Sequence, residues 1–128
     1  MYLLNFSHPI TAEQIEQIES LIKPHKIIDI ITIKTAFNNE EPFQEQIKAL
    51  LDQIPFSTEE LASLPMLINL PAHSVIASLL IAHLHGLLGF FPAIIRLKPL
   101  TNTIPTQFVL AEIINLQLIR EQARSLRA

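Results

Sequence analysis

Two imidazole-hydroxyl neighbours have the chemistry to act on a ligand. Ser7 and His8 follow directly on the apolar Leu3, Leu4 and Phe6, and His73 and Ser74 come shortly after the apolar run that contains Asn69. A serine beside a histidine invites the reading of an activated nucleophile. Neighbours at a strand end point in different directions, however, and no sequence feature supplies a third, orienting group. Ser7 with Pro9 equally suits a tight turn, which leaves His8 as either a loop residue or a ligand contact. His73 and Ser74 precede a long apolar stretch of helical length. A helix start there offers unpaired backbone N–H groups and about half a positive charge, a seat for a phosphate. Either side chain also suits a helix cap.

Cationic side chains are few. Arg96 and Lys98 alternate with apolar residues near the end of a buried strand, so Arg96 is expected either to pair with Glu112 or to face an anion. Arg120, Arg124 and Arg127 follow one face of the last helix and complement its C-terminal dipole, with Arg120 nearest the strand end. His83 and His85 are close in sequence, but on a helix they point about 160° apart and cannot chelate one ion, so no metal site is expected. Cysteine is absent, which removes disulfides, thiolate nucleophiles and Cys-rich zinc sites. Two glycines, Gly86 and Gly89, cannot build a glycine-rich dinucleotide or triphosphate loop. No cofactor is expected.

The elements that must position these residues belong to one domain, since 128 residues suffice for one core and are too few for two. Hydrophobic residues make up 49% and charged residues 16%. With a mean hydropathy of +0.36, either much of the chain is buried on both sides or it meets a partner. The greasiest region, residues 75–97, is interrupted by Ser78, His83, His85, Gly86, Pro92 and Arg96, so no membrane span is expected. The N-terminus lacks the basic start and cleavage site of a signal peptide, and a cytoplasmic protein is the expectation. A net charge of −3 argues against binding long nucleic acid through a basic surface, while leaving room for a small anion in a pocket.

Residues 2–6 read as a first strand, and Thr11-Ala12-Glu13-Gln14 as a capping box opening a helix with Ile15, Ile18 and Ile22 at helical spacing, closed by Pro24. Ile27, Ile28, Ile30, Ile31 and Ile33 form a β-branched run expected of a strand covered on both faces. Pro42 begins a second helix with Phe43, Ile47, Leu50, Leu51 and Ile54 inward, and Ser57 to Glu60 is a second capping box. Residues 66–70 read as a strand and 74–88 as a helix apolar around most of its circumference, which is expected to be covered on most sides, by the sheet on one face and a second copy on the other. Residues 90–97 and 107–113 read as strands. Asn115 can cap a last helix whose Leu116, Ile119, Ala123 and Leu126 face inward. The order β-α-β-α-(α)-β-α-β-β-α predicts an α/β fold, a three-layer sandwich around a mostly parallel sheet. Such sheets bind ligands beyond the carboxyl ends of their strands, so loops 7–9, 35–39, 69–74 and 101–103 should converge on one rim, bringing Thr101 and Asn102 with them.

The stretches LLNFSHPIT, LINLPAHS, GFFPAIIRLKP and AEIINLQLIR, in this order over essentially the whole chain, resemble a small CRISPR-associated family that accompanies type III systems. That family is related to the CARF superfamily of Rossmann-like sensors and is grouped with the ring nucleases. The resemblance implies a Rossmann-like fold and a cytoplasmic homodimer, or higher homo-oligomer, that binds a cyclic oligoadenylate, cyclic tetra-adenylate above all, across its two-fold axis. Carried onto this sequence, it implies Ser7, His8, Asn69, His73, Ser74, Asn115 and Arg120 as binding residues. A ring with four phosphates would draw a basic pocket, and this mildly acidic chain departs from that, which puts the weight on backbone N–H groups and uncharged Asn, Ser and His.

Cleaving the ring without metal needs the ribose 2′-OH held in line with its phosphate, with His8 or His73 moving a proton and Arg120 or Lys98 on the phosphate. Sequestration needs only the pocket, and micromolar binding requires about 8 kcal/mol. Sequestration that damps antiviral signalling is the favoured expectation, ring cleavage the alternative, and a ligand-free scaffold module the third.

Overall fold

Local signals set most boundaries. Thr11 accepts a hydrogen bond from the Gln14 amide while the Gln14 side chain accepts from the Thr11 amide, and helix α1 (Ala12–Leu21) begins there. Ser57 and Glu60 repeat this reciprocal cap for α3 (Thr58–Ser63). Pro42 stands just before α2 (Phe43–Leu51). Helix α4 (Ser74–Leu88) ends at Gly89, whose φ of 81° is left-handed, a conformation that glycine adopts without a Cβ penalty. Asn115 caps α5 (Leu116–Arg124) by accepting from the Leu118 amide. The computed structural model describes residues 1–127.

Between the helices run β1 (Tyr2–Asn5), β2 (Asp29–Thr32), β3 (Met66–Asn69), β4 (Ala93–Pro99) and β5 (Phe108–Asn115). They form one five-stranded sheet in the order β2-β1-β3-β4-β5. The first four strands are parallel, and β5 pairs antiparallel with β4. Alternating residues of β1 point to opposite faces. Leu4 packs with Ile47, Leu50, Leu61, Ile76, Leu80 and Leu84 from α2, α3 and α4. Leu3 packs with Ile18 of α1 and with Leu67 and Ile95. The chain is therefore an α/β, Rossmann-like sandwich with helices on both faces of a mostly parallel sheet.

The sheet order puts the strand with the longest isoleucine run at an edge. Residues 27–33 contribute to both faces, with Ile31 and Ile33 packed beside Leu4 and Ile27 and Ile30 beside Leu3. The lateral edge is open, however, and Asp29, Thr32 and Ile28, 68% exposed, lie uncovered because β2 has a neighbour on one side only. Helix α4 is likewise covered along one stripe, Ile76, Leu80 and Leu84, while Val75 and Leu87 are 51% and 38% exposed.

Helix α5 differs most from the pattern read in the sequence. It contains no buried residue; Ile119 is 49% and Leu126 84% exposed, so the row Leu116, Ile119, Ala123, Leu126 does not face inward. The physical reason is the reversed strand before it. Antiparallel β5 ends where β4 begins, with Asn115 opposite Ala93, so α5 starts at the amino rim instead of crossing over a sheet face.

Candidate functional site

Two features converge where β1 and β3 end. In this strand order the chain leaves β1 toward one face, through α1, and leaves β3 toward the other, through α4. The connections part at that point and open a crevice beyond the carboxyl ends, the usual ligand position in open α/β sheets. The two strands also end alike, with Asn5 directly opposite Asn69.

Asn5 is fully buried and Asn69 is 7% exposed. Asn69 Nδ2 donates to Asn5 Oδ1 at 2.9 Å, and the Ser7 amide donates to the same oxygen at 3.1 Å. Asn5 Nδ2 donates to the His8 carbonyl at 2.9 Å. One side chain thus fixes both ends of the Ser7-His8 turn and ties it to the neighbouring strand. Buried amides hold such positions because an unmade bond there costs about 1–3 kcal/mol. The Ser7 and His8 side chains are left to face outward.

They face a cavity of about 1050 Å³. Its walls are residues 7–9, the first turn of α1 with Glu13 and Gln14, the β3 exit at residues 69–72, residues 95–97 of β4, and residues 106–109. The last wall is an arm. β3 pairs with β4 only as far as Ile68 and Ile94, yet β4 runs on to Pro99 with β5 beside it, so a two-stranded ribbon projects past the sheet. The Gln14 Nε2 donates to the Phe108 carbonyl at 2.9 Å and the Leu110 amide donates to Gln17 Oε1 at 2.8 Å, pinning the arm to α1.

Of the residues singled out in the sequence, Ser7, His8, Asn69 and Arg96 share this mouth. His73 and Ser74 are exposed but do not line it. His73 Nδ1 instead accepts from the Ile76 amide at 3.4 Å, a long helix cap, and its ring stands edge-on to Phe43 at 5.4 Å. Thr101 and Asn102 ride on the tip of the arm, beyond the cavity, because the ribbon carries that loop outward. Asn102 has a φ of 63°, which asparagine tolerates in a turn better than most residues. In loop 35–39, Thr35 braces the exit of β1 by donating to the Phe6 carbonyl at 3.3 Å. None of residues 35–39 lines the mouth.

Asn115 and Arg120 are placed at the opposite rim. Asn115 caps α5 and borders a separate, largely apolar cleft of about 380 Å³ beside the start of β4, and Arg120 lies along α5 with Arg124 and Arg127. The four convergent loops and the terminal motif therefore do not form one rim. The reversal of β5 sends its end to the amino side of the sheet.

Charge at the mouth is nearly balanced. Arg96 borders it, but its guanidinium pairs with Glu112 at 2.6 Å, with both side chains about half exposed. Glu13 adds a carboxylate on the α1 side. Lys98 is exposed farther along the arm. Among the described residues no three His, Asp or Glu side chains come together to hold a metal ion. The remaining lining is amide, hydroxyl, the His8 imidazole and apolar, chemistry suited to the faces and edges of an uncharged heterocycle more than to a phosphate.

Asn5 escaped the sequence reading because it sits inside an apolar run. A signal was present: Leu3-Leu4-Asn5 and Leu67-Ile68-Asn69 end two strands with the same residue, and asparagine is a poor strand former. No family model, no curated protein and no solved structure matches the chain. No helix among the described residues is long and apolar enough to cross a membrane.

Proposed function

We propose that the protein is a cytoplasmic, homodimeric binder of a cyclic oligoadenylate, cyclic tetra-adenylate in the first instance, that damps type III CRISPR signalling by sequestration. The observation that carries this reading is the buried Asn5–Asn69 pair, which presents the Ser7-His8 turn at a cavity of about 1050 Å³ at the point where the connections of the sheet diverge. That volume slightly exceeds the usual range for small-molecule sites, about 300–1,000 Å³, and suits part of a macrocycle. The ordered motifs that resemble the CRISPR-associated family supply the identity of the ligand.

The balanced charge of the mouth orients the proposal. Adenines enter the amide-lined and apolar cavity, and the ring's phosphates stay toward solvent and toward backbone N–H groups. The uncovered apolar surface of α5, with Leu118 and Ile119 each 49% exposed, supports an oligomer that associates at the rim opposite the mouth.

Sequestration is favoured over turnover because His73, one of two histidines available for proton transfer, is engaged as a helix cap away from the mouth. Ring cleavage is the second reading, favoured by His8 alone, which borders the cavity.

The test is incubation of purified protein with labelled cyclic tetra-adenylate, followed by native gels and, after denaturation, chromatography. Retention with the ring recovered intact is the expected result. Linear fragments ending in a 2′,3′-cyclic phosphate would establish the nuclease instead, and no retention by either route would overturn both.

A further inference from the structure

We infer that Phe108 is the platform on which a purine base of the bound ligand stacks. The assignment rests on the reading that the mouth takes an adenylate ring, and it names the residue that holds the base.

Phe108 is the only Phe, Tyr or Trp among the residues lining the cavity. It is 51% exposed. Phe37, Phe43, Phe56 and Phe91 each lie against another ring, whereas Phe108 has no ring partner among the described residues. A single exposed phenylalanine is ordinary on a protein surface. Here its backbone is held by a side chain that is itself buried. Gln14, 6% exposed, donates from Nε2 to the Phe108 carbonyl while its Oε1 accepts from the Thr11 amide in the α1 cap. Thr11 borders the same cavity. The phenyl-bearing residue is thereby fixed relative to the turn at residues 7–9 across the mouth, so a base meets a preorganised surface and little ordering is needed on binding.

Chemistry favours a base as the occupant of that surface. Every nucleobase has a π-face, and base-aromatic stacking tolerates a site short of charge. Next to the ring, the exposed Gln107 side chain borders the cavity and makes no hydrogen bond among the described residues, leaving an amide for the N6 and N7 edge of adenine.

Calorimetric titration with cyclic tetra-adenylate of the wild type, Phe108→Leu and Phe108→Trp tests the assignment, with circular dichroism as the check on folding. Leucine keeps apolar bulk and removes the π-face, so Phe108→Leu is expected to weaken binding about tenfold or more, while Phe108→Trp retains it. Wild-type affinity in Phe108→Leu overturns the assignment and leaves the reading of the site standing. A wild type that binds no ring overturns both. As a readout that needs no variant, a ring carrying 2-aminopurine in place of adenine is expected to lose fluorescence on binding wild-type protein, and undiminished fluorescence in the bound ring rejects stacking.

Discussion

Asn69 Nδ2 donates to Asn5 Oδ1 across the two central strands, and through that bond the end of β3 controls the turn that follows β1. Replacing Asn5 with Ala removes this acceptor, the acceptor for the Ser7 amide and the donor to the His8 carbonyl. Leaving the Asn69 amide unpartnered in a buried site predicts a loss of about 2–3 kcal/mol in urea denaturation. Amide hydrogen exchange should rise first at Ser7 and His8, and ligand retention should fall even at temperatures where the variant is folded.

The two glycines predict opposite signs. A Cβ at either position meets no atom within 4 Å, so packing does not decide the outcome. Gly86 lies inside α4 with an ordinary helical backbone, and Gly86→Ala should stabilise by about 0.5–1 kcal/mol. Gly89 has a φ of 81°, and Gly89→Ala should destabilise by about 1 kcal/mol through the left-handed penalty. Paired thermal melts of the two variants check the contrast.

His73→Ala separates capping from ligand chemistry. The long bond to the Ile76 amide and the absence of His73 from the cavity walls predict a stability loss of about 0.5–1 kcal/mol with unchanged ring retention. His8→Ala should do the reverse, weakening retention with little effect on the melting temperature, because His8 is exposed and it is its backbone carbonyl that Asn5 holds.

Charging the open row of α5 tests its role in assembly. Ile119 is 49% exposed, so Ile119→Glu should change monomer stability by no more than about 0.5 kcal/mol. If the row is covered by a second copy, sedimentation velocity should show the variant shifted toward monomer relative to the wild type. An unchanged distribution would show that this row does not mediate assembly.

The order of elements was legible because its signals are local. The capping boxes at Thr11 and Ser57, the stop at Gly89 and the cap at Asn115 each act within a few residues of chain. What escaped depends on the order in which strands are laid side by side. Ile27 to Ile33 supplies apolar residues to both faces, but its place at an edge is set by the β1–α1–β2 unit, which adds β2 outside β1 with nothing beyond it. Helix α5 has the periodicity of a packed helix, but the reversal of β5 delivers it to a rim with no layer to join. The same reversal separates Asn115 and Arg120 from Ser7 and Asn69, a division that periodicity does not encode. Arg96 and Glu112 were legible as partners because antiparallel neighbours on β4 and β5 stand opposite one another, although their pairing is half exposed where a buried one was expected.

The glutamines that pin the arm have a consequence for solubility. β5 closes one side of the sheet, and an outermost strand normally offers bare main-chain groups on which another chain can polymerise. Gln14 and Gln17 occupy the Phe108 carbonyl and the Leu110 amide of that strand. An uncharged pair of side chains from the neighbouring helix thus blunts the half of the border nearest the mouth, protecting a greasy protein from fibrous growth where charged gatekeepers are scarce.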